Sequence, residues 1–188
     1  MRIGVFGGSF NPVHCGHLAL AESAFSQLNL SHVYFVPSFQ PPLKSDKDLL
    51  PASFRVQLLK KSLKTYPDFS VSTCEIDRGG KSYTVDTLNF FRRKVGKNAK
   101  IYFLAGLDSL KNLSQWKSVE KIFKLCNFVV ASRPGFQWEN THFPVLQLPF
   151  EALDVSSSGL RKRLRAKKSV QDLVPKAIAA DLKKYFSK

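Results

Sequence analysis

The residues best suited to chemistry lie near the N-terminus, in the segment Gly7-Gly8-Ser9-Phe10-Asn11-Pro12-Val13-His14-Cys15-Gly16-His17. His14 and His17 are three residues apart, so on the first turn of a helix their rings would share one face. Glycines let backbone N–H groups approach a phosphate, and the start of a helix attracts the same negative charge. Imidazole donors could then neutralise charge on a phosphorus atom during displacement. The segment predicts a phosphate-binding site.

Other interpretations of the histidine pair are weaker. A His-x-x-His pair can bind a metal ion, but no nearby ligand completes such a site, so we predict no metal centre. The two histidines could also stand at a helix start without a role. The GxGxxG fingerprint of dinucleotide-binding proteins is absent, because Gly4, Gly7 and Gly8 have the wrong spacing.

A second polar group stands near the C-terminus, in Asp154-Val155-Ser156-Ser157-Ser158-Gly159-Leu160-Arg161. Serine hydroxyls before a helix suit an N-cap, where free backbone amides can hold an anion. Arg161 lies within the first turn of this predicted helix and could clamp a phosphate with its planar guanidinium group. Taken alone, the segment could equally be a plain serine cap before a solvated basic helix.

Together the two segments resemble the motifs of the HxGH nucleotidyltransferase superfamily, whose members join a nucleotide to a phosphate-bearing acceptor. The first is similar to GGSFDPxHxGH, with Asn11 in place of the commoner Asp, and the second to ISSTxxR, with Val155 and Ser158 as the differences. The resemblance implies that His14, His17 and Arg161 are catalytic. It also implies an ATP site that contains these three residues together with Gly7, Gly8, Ser9, Phe10, Ser156, Ser157 and Ser158.

Three intervening segments are similar to the bacterial-type nicotinate-mononucleotide adenylyltransferases, one family of this superfamily. Residues 41–44 (PPLK) stand where that family has PPHK or PPHR, so Leu43 replaces a common histidine. Residues 78–88 (RGGKSYTVDTL) resemble RxGxSYTxDTL, and residues 103–116 (FLAGLDSLKNLSQW) resemble FxxGxDSLxxLxxW. The resemblance continues to residues 173–175 and so covers essentially the whole chain.

This resemblance implies transfer of AMP from ATP to nicotinate mononucleotide, giving deamido-NAD and pyrophosphate in NAD biosynthesis. Trp116 would stack on the pyridine ring, and backbone amides near Thr84 and just before that tryptophan would receive its carboxylate. Lys44 would bind the acceptor phosphate, and Asp108 would bind sugar hydroxyls in the mononucleotide. Mg²⁺ would be carried by ATP oxygens and water. The ATP site would gain Gly106, Asp108 and Arg133.

The hydrophobic pattern predicts the frame that must position these residues. Short apolar runs predict strands at residues 3–6, 32–36, 69–76, 100–104, 128–131 and 145–148. Helical spacing and caps predict helices between and after them, including 84–93 and two that begin near Ser157 and Pro175. This alternation predicts an α/β, Rossmann-like fold, a mostly parallel twisted sheet with helices on both faces. Ligands in such folds bind beyond the carboxyl ends of the strands.

We expect one nucleotidyltransferase domain over residues 1–188, with a helical C-terminal part from about residue 156. A length of 188 residues with 44% hydrophobic composition fits one well-buried domain. The long segment from Pro37 to Pro51 is predicted to be a loop, and loops of this length are often functional. In the helix that follows, Arg55 matches a family position but could equally be a surface charge.

Composition predicts a cytoplasmic protein and leaves its partners partly open. No apolar run approaches the roughly 18 residues of a membrane span, and three widely spaced cysteines fit a reduced compartment. The formal net charge is +15, and ten Lys or Arg against two Asp lie from Leu160 onward. Such a surplus attracts polyanions, which include both nucleic acids and phosphorylated small molecules.

The partners that we expect are ATP and nicotinate mononucleotide, and a homo-oligomer is left open. A related HxGH transferase could instead use another phosphorylated acceptor, such as nicotinamide mononucleotide or pantetheine phosphate. A basic nucleic-acid-binding module is the alternative from another class. Against it, the basic residues bunch at one end and the aromatic residues do not follow the RRM arrangement.

Overall fold

The computed structural model describes residues 1–43, 48–106, 112–132 and 143–187. The strands are β1 (Arg2–Gly8), β2 (His32–Pro37), β3 (Phe69–Val71), β4 (Lys100–Ala105), β5 (Asn127–Ser132) and β6 (Val145–Pro149). The helices are α1 (Cys15–Gln27), α2 (Ala52–Ser62), α3 (Cys74–Arg78), α4 (Thr84–Val95), α5 (Val119–Leu125), α6 (Ser157–Arg165) and α7 (Lys176–Phe186). The strands form one sheet in the order β3-β2-β1-β4-β5-β6, and all five neighbouring pairs are parallel. The predicted α/β fold class is confirmed.

Helices cover both faces of this sheet. Alternate residues of β1 point to opposite faces, so Ile3 and Val5 join one buried cluster and Phe6 joins the other. The first cluster contains Leu88 of α4, and the second contains Ala21 of α1. Burial on both faces explains why the strands read as near-continuous apolar runs in the sequence.

The strand order reverses beside β1, which lies between β2 and β4. Chain connections run from β1 toward β2 on one side, and β4 returns to the other side of β1. The reversal opens a crevice beyond the carboxyl ends of these strands, which is where ligands bind in open α/β sheets. The segment that follows Gly8 and the segment that follows Ala105 both begin at this crevice.

The turn after β1 differs from the sequence-based expectation. The apolar run predicts a strand that stops at Phe6, but β1 continues through Gly8, which pairs with Pro37 of β2. The chain turns at Phe10, whose φ of 43° lies in the left-handed region without a glycine. Burial of the Phe10 ring, which lies edge-on to Phe6 at 5.4 Å between centroids, offsets this backbone strain.

The predicted strand at residues 69–76 was also wrong in its second half. Strand β3 ends at Val71, and Cys74–Arg78 form helix α3. The Thr73 hydroxyl donates a hydrogen bond to the Asp77 carboxylate at 2.8 Å, a contact across one helical turn. Polar residues four apart therefore favour a helix where the apolar pattern alone suggested a strand.

No helix in the described ranges combines the length and the apolar character that crossing a bilayer requires.

Candidate active site

The two histidines lie side by side at the start of α1. His14 is the N-cap residue, with extended backbone, and His17 lies on the first turn. Their ring centroids are 3.7 Å apart, with 33° between the ring planes. The structure thus places both imidazoles at the crevice beside β1, as their spacing predicts.

Hydrogen bonding fixes the orientation of His17. Its Nδ1 accepts a hydrogen bond from the backbone N–H of His14 at 3.2 Å. A neutral imidazole whose Nδ1 accepts must carry its proton on Nε2, which is then a donor. The rings of Phe10 and Phe6 contact His17, with centroid distances of 5.0 and 5.9 Å. The aromatic contacts and the backbone bond together hold a donor in one direction.

Burial makes His14 a neutral side chain at physiological pH. Only 8% of the residue is exposed, and desolvation lowers the pKa of its imidazole from 6.5 to about 4. Its Nδ1 is buried and has no hydrogen-bond partner among the described residues. Such an unpaired group costs about 1–3 kcal/mol. In the tautomer that carries its proton on Nδ1, this nitrogen could donate a hydrogen bond to a ligand oxygen. That bond would remove the cost of the unpaired group.

Gly16 allows α1 to pack against the second motif. A Cβ atom at this position would lie 3.0 Å from Cγ1 of Val155 and 3.2 Å from Nδ1 of His14. Gly7 is similarly restricted, because its Cβ would lie 3.0 Å from the ring of Phe103. Within the described structure, close packing rather than a tight turn accounts for both glycines.

The serine-rich motif caps α6 and contacts the turn after β1. The Ser156 hydroxyl accepts a hydrogen bond from the backbone N–H of Gly159 at 3.1 Å, which is the predicted N-cap. The Ser157 hydroxyl donates to the Pro12 carbonyl at 2.9 Å. Nη1 of Arg161 donates to the Asn11 carbonyl at 2.8 Å. Two motifs about 150 residues apart in sequence therefore form one cleft.

Asp48 and Asn11 tie the end of the long loop to this cleft, which the sequence did not predict. Oδ1 of Asp48 lies 2.5 Å from Nη2 of Arg165, and Oδ2 lies 4.0 Å from Nη2 of Arg161. The hydrogen bond and charge of Arg165 lower the pKa of Asp48. Nδ2 of Asn11 donates to the Asp48 carbonyl at 2.8 Å, while Oδ1 accepts from the Leu50 N–H at 2.9 Å. A carboxylate at position 11 could only accept, so this chain uses both halves of the amide.

Arg55 is a buried side chain that hydrogen-bonds to backbone carbonyls of other segments, and it is not a surface charge. Its side chain is fully buried in α2, where burial lowers the pKa of the guanidinium group. Nε donates to the Leu50 carbonyl at 2.9 Å and Nη1 to the Ser9 carbonyl at 2.8 Å, while Nη2 lies 3.5 Å from the Phe39 carbonyl. The surface alternative was therefore wrong. Its helical spacing from the buried Leu58 was the signal that could have predicted this.

A cavity of about 280 Å³ lies near this cleft and contains both predicted pyridine-site residues. Trp116 forms part of its wall, and its ring packs at a steep angle against Phe103 and Phe128, with centroids 6.1 and 5.6 Å away. Thr84 begins α4 at the same cavity, and Leu43 is 51% exposed at its margin. The described lining consists of Pro41, Pro42, Leu43, Ser82, Tyr83, Thr84, Asn112, Gln115, Trp116, Lys117 and Ile122.

A buried carboxyl group supports this cavity. Glu75 is 5% exposed, and desolvation raises its pKa against the opposing effect of hydrogen bonds from Thr87 and Ser82. The Ser82 hydroxyl also accepts from the Phe39 N–H at 2.9 Å. This network joins α3, α4 and the long loop, and no local pattern of residues indicated it.

Four of the predicted residues lie at the end of a described range or outside the described ranges. Gly106 is exposed directly after β4, with open space where a Cβ would lie. Lys44, Asp108 and Arg133 lie outside the described residues.

Comparison with known proteins gives this site its class. Residues 5–163 match the family described as Cytidylyltransferase-like, and this range contains both histidines and Arg161. The chain therefore belongs to the cytidylyltransferase-like family of nucleotidyltransferases.

Its curated relatives place it more narrowly, among the nicotinate-nucleotide adenylyltransferases. A protein from Moorella thermoacetica named as a probable nicotinate-nucleotide adenylyltransferase is 39% identical, across 94% of this chain and 87% of the relative. One of the same name from Clostridium botulinum is 36% identical, across 94% and 92%.

Solved structures share the fold. Plasmodium falciparum nicotinic acid mononucleotide adenylyltransferase complexed with APC superimposes with a TM-score of 0.76 at 20% sequence identity. The same protein complexed with NaAD gives 0.75 at 21% identity. Each comparison covers 99% of this chain and 96% of the other.

Proposed function

We propose that the protein transfers AMP from ATP to nicotinate mononucleotide, releasing pyrophosphate and forming deamido-NAD for NAD biosynthesis. The observation that carries this proposal is the cleft between the His14–His17 turn and Arg161, close to a cavity walled by Trp116. An anion-binding cleft beside an aromatic-walled cavity suits a triphosphate and a flat pyridine ring. The names of the relatives and the APC and NaAD complexes of the structural neighbour support the same pair of substrates.

The reaction would be an in-line displacement at the α-phosphorus of ATP. A phosphate oxygen of the mononucleotide forms the new bond to that phosphorus, and the bond to the bridging α–β oxygen breaks with departure of pyrophosphate. The attacking oxygen is already anionic, so no general base is needed. Catalysis then depends on positioning and on stabilising the charge of the transition state.

Each side chain of the cleft has a part in this scheme. The Nε2–H of His17 donates to an α-phosphate oxygen, and neutral His14 donates to a neighbouring phosphate oxygen. Arg161 and the amides of the serine cap hold the departing pyrophosphate. Other residues contact the substrates in supporting roles, namely Lys44 at the phosphates, Asp108 at sugar hydroxyls, and Gly106 and Arg133 at the nucleotide.

Mg²⁺ would enter with ATP. The described residues contain no group of three His, Cys, Asp or Glu side chains that could hold a metal ion. Mg²⁺ retains water readily and is commonly held by substrate phosphates. We therefore assign it to phosphate oxygens and water and route no step through a protein-bound ion.

A panel of acceptors and nucleotides tests the proposed function. Pyrophosphate release should be fastest with ATP and nicotinate mononucleotide, and the second product should have the mass of deamido-NAD. Nicotinamide mononucleotide, pantetheine phosphate and CTP are the competing substrates. Preference for pantetheine phosphate or CTP would assign the chain to another reaction of this family.

A further inference from the structure

Lys117 is a charged residue at the pyridine cavity that follows directly after Trp116. Among the described residues that line this cavity, it is the one with a formally charged side chain. The other lining residues are apolar or carry hydroxyl or amide groups. A cation in this setting can distinguish ligands that differ in charge, which hydroxyl and aromatic contacts do less well.

The ammonium group lies close to the wall that carries Thr84. Nζ of Lys117 is 4.5 Å from the ring centroid of Tyr83, the residue directly before Thr84. A cation over an aromatic face at this distance is attracted by the ring. The contact therefore holds the ammonium at the edge of the cavity. Its N–H groups can still rotate toward a hydrogen-bond acceptor on a ligand.

The nearby carboxylate does not use the donors of Lys117. Oδ2 of Asp86 is 4.0 Å from Nζ, too far for a hydrogen bond, and the two side chains are 38% and 53% exposed. Such an ion pair has a small interaction energy in water. The ammonium has three N–H donors and no acceptor, so it can hydrogen-bond a ligand oxygen without losing a strong partner.

We propose that Lys117 determines specificity for the acid form of the acceptor by pairing with the ring carboxylate of nicotinate mononucleotide. This inference rests on the proposed function. Trp116 can stack on either pyridine ring, so stacking contributes equally to both acceptors. A carboxylate forms a charge-assisted hydrogen bond with the ammonium, whereas a carboxamide is neutral and presents N–H groups that lysine cannot accept. The charge of Lys117 therefore favours the acid over the amide.

Substitution of Lys117 by methionine tests the assignment. Lys117→Met keeps a long flexible side chain and removes the charge, and Lys121→Met is the matched control, because Lys121 is exposed on α5 and does not line the cavity. The preference for nicotinate over nicotinamide mononucleotide, measured as the ratio of kcat/KM values with saturating ATP, should fall about fivefold or more in Lys117→Met. Lys121→Met should retain the wild-type ratio.

A second variant shifts the preference in the opposite direction. Asp86→Asn removes a negative charge 4.0 Å from Nζ of Lys117, which repels an approaching carboxylate but not a carboxamide, so the preference for the acid should rise. Equal effects of Lys117→Met on both acceptors, or no effect on either, would overturn the proposal.

Direct binding separates this inference from the reaction. Isothermal titration of each mononucleotide into wild type and Lys117→Met should show weaker binding of the acid alone in the variant. A wild type that releases no pyrophosphate with either acceptor contradicts the proposed function. An unchanged ratio of the two dissociation constants contradicts the role of Lys117 whether or not turnover is seen.

Discussion

At the residue scale, His14 and His17 have different environments although they share one turn. Nδ1 of His17 accepts a hydrogen bond from the His14 backbone N–H, so Nε2 is the nitrogen that can donate. His14 is buried and kept neutral, and its Nδ1 has no partner in the described part of the chain. The pair can therefore supply two hydrogen bonds to phosphate oxygens without first adding two positive charges to the turn.

Substitution of His17 by alanine should reduce turnover strongly. Loss of one donor to the transition state lowers kcat by roughly 100-fold or more. The measurement is pyrophosphate release at saturating ATP and nicotinate mononucleotide. His32→Ala is the control, because His32 lies at the start of β2, where it bonds the Ser70 hydroxyl at 2.7 Å. Turnover of His17→Ala near that of the control would remove His17 from the mechanism.

The low pKa of His14 makes folding stability depend on pH. The unfolded chain takes up a proton near its ordinary pKa of 6.5, whereas the folded protein does so only near about 4. Stability therefore falls as the pH decreases through this window, by about 2 kcal/mol between pH 7 and pH 5. Urea unfolding at these two pH values should show a smaller loss in His14→Gln, which cannot be protonated. Identical losses in both proteins would contradict the buried, neutral state.

Local motifs predicted the residues at the centre of the cleft but not those that support it. His14, His17 and the serine cap lie in short segments whose chemistry is visible in the sequence. Glu75 and Asp48 act through partners at Thr87 and Arg165, which are 12 and 117 residues away. No periodicity in a single chain records such a pairing. Supporting residues therefore became visible only with the fold.

At the scale of elements, the start of α1 packs against the segment that precedes α6. Gly16 in α1 leaves no room for a methyl group beside Val155, which precedes the cap of α6. The backbone N–H of Cys15 also donates to the Leu173 carbonyl at 3.0 Å, so the segment before α7 supports the same turn. The separation between the histidine turn and the serine-rich motif thus depends on a few close contacts.

A methyl group at position 16 should lower kcat/KM for ATP more than kcat/KM for the mononucleotide. Gly16→Ala should lower kcat/KM for ATP about fivefold, because the helix start must shift by a few tenths of an ångström from Val155. Val155→Ala removes Cγ1, so the double variant should recover part of the loss. A double-mutant cycle on kcat/KM for ATP measures this coupling. Additive effects of the two changes would show that the contact does not set the separation.

The sequence predicted elements well where apolar runs were long and less well at their ends. Strand β1 continued through two glycines because pairing with β2 holds them extended. Residues 74–78 became helical because local polar bonds outweighed an apolar pattern. Helix α5 follows Ser118, a non-glycine residue with φ of 53°, and was not predicted. Tertiary contacts decide such boundaries.

At the scale of the molecule, part of the positive charge lies on a second surface near the C-terminus. Four lysines line a cavity of about 550 Å³ between the end of α6 and the exposed side of α7. These residues are Lys167, Lys168, Lys176 and Lys183. The proposed mechanism uses none of these four lysines, so this basic surface can attract polyanions without serving the reaction.

Binding of nucleic acid to this surface should be weak and dependent on salt. With about four phosphate contacts, affinity for duplex DNA should fall roughly 100-fold between about 50 and 200 mM salt. A gel-shift titration across salt measures this slope, and Lys176→Gln with Lys183→Gln should reduce it while turnover is unchanged. Tight binding that persists at high salt would favour the nucleic-acid-binding alternative.

The fully buried guanidinium group of Arg55 couples the positions of two segments, the turn after β1 and the loop near the cavity walled by Trp116. It reaches the Ser9 carbonyl at the turn beside the histidines and approaches the Phe39 carbonyl near the pyridine cavity. Lysine preserves the charge but lacks the planar guanidinium group with its several N–H donors, so it cannot form the same set of contacts. Replacement of Arg55 should therefore disturb both segments, so position 55 should tolerate fewer substitutions than Lys60 and Lys61, the exposed lysines of the same helix.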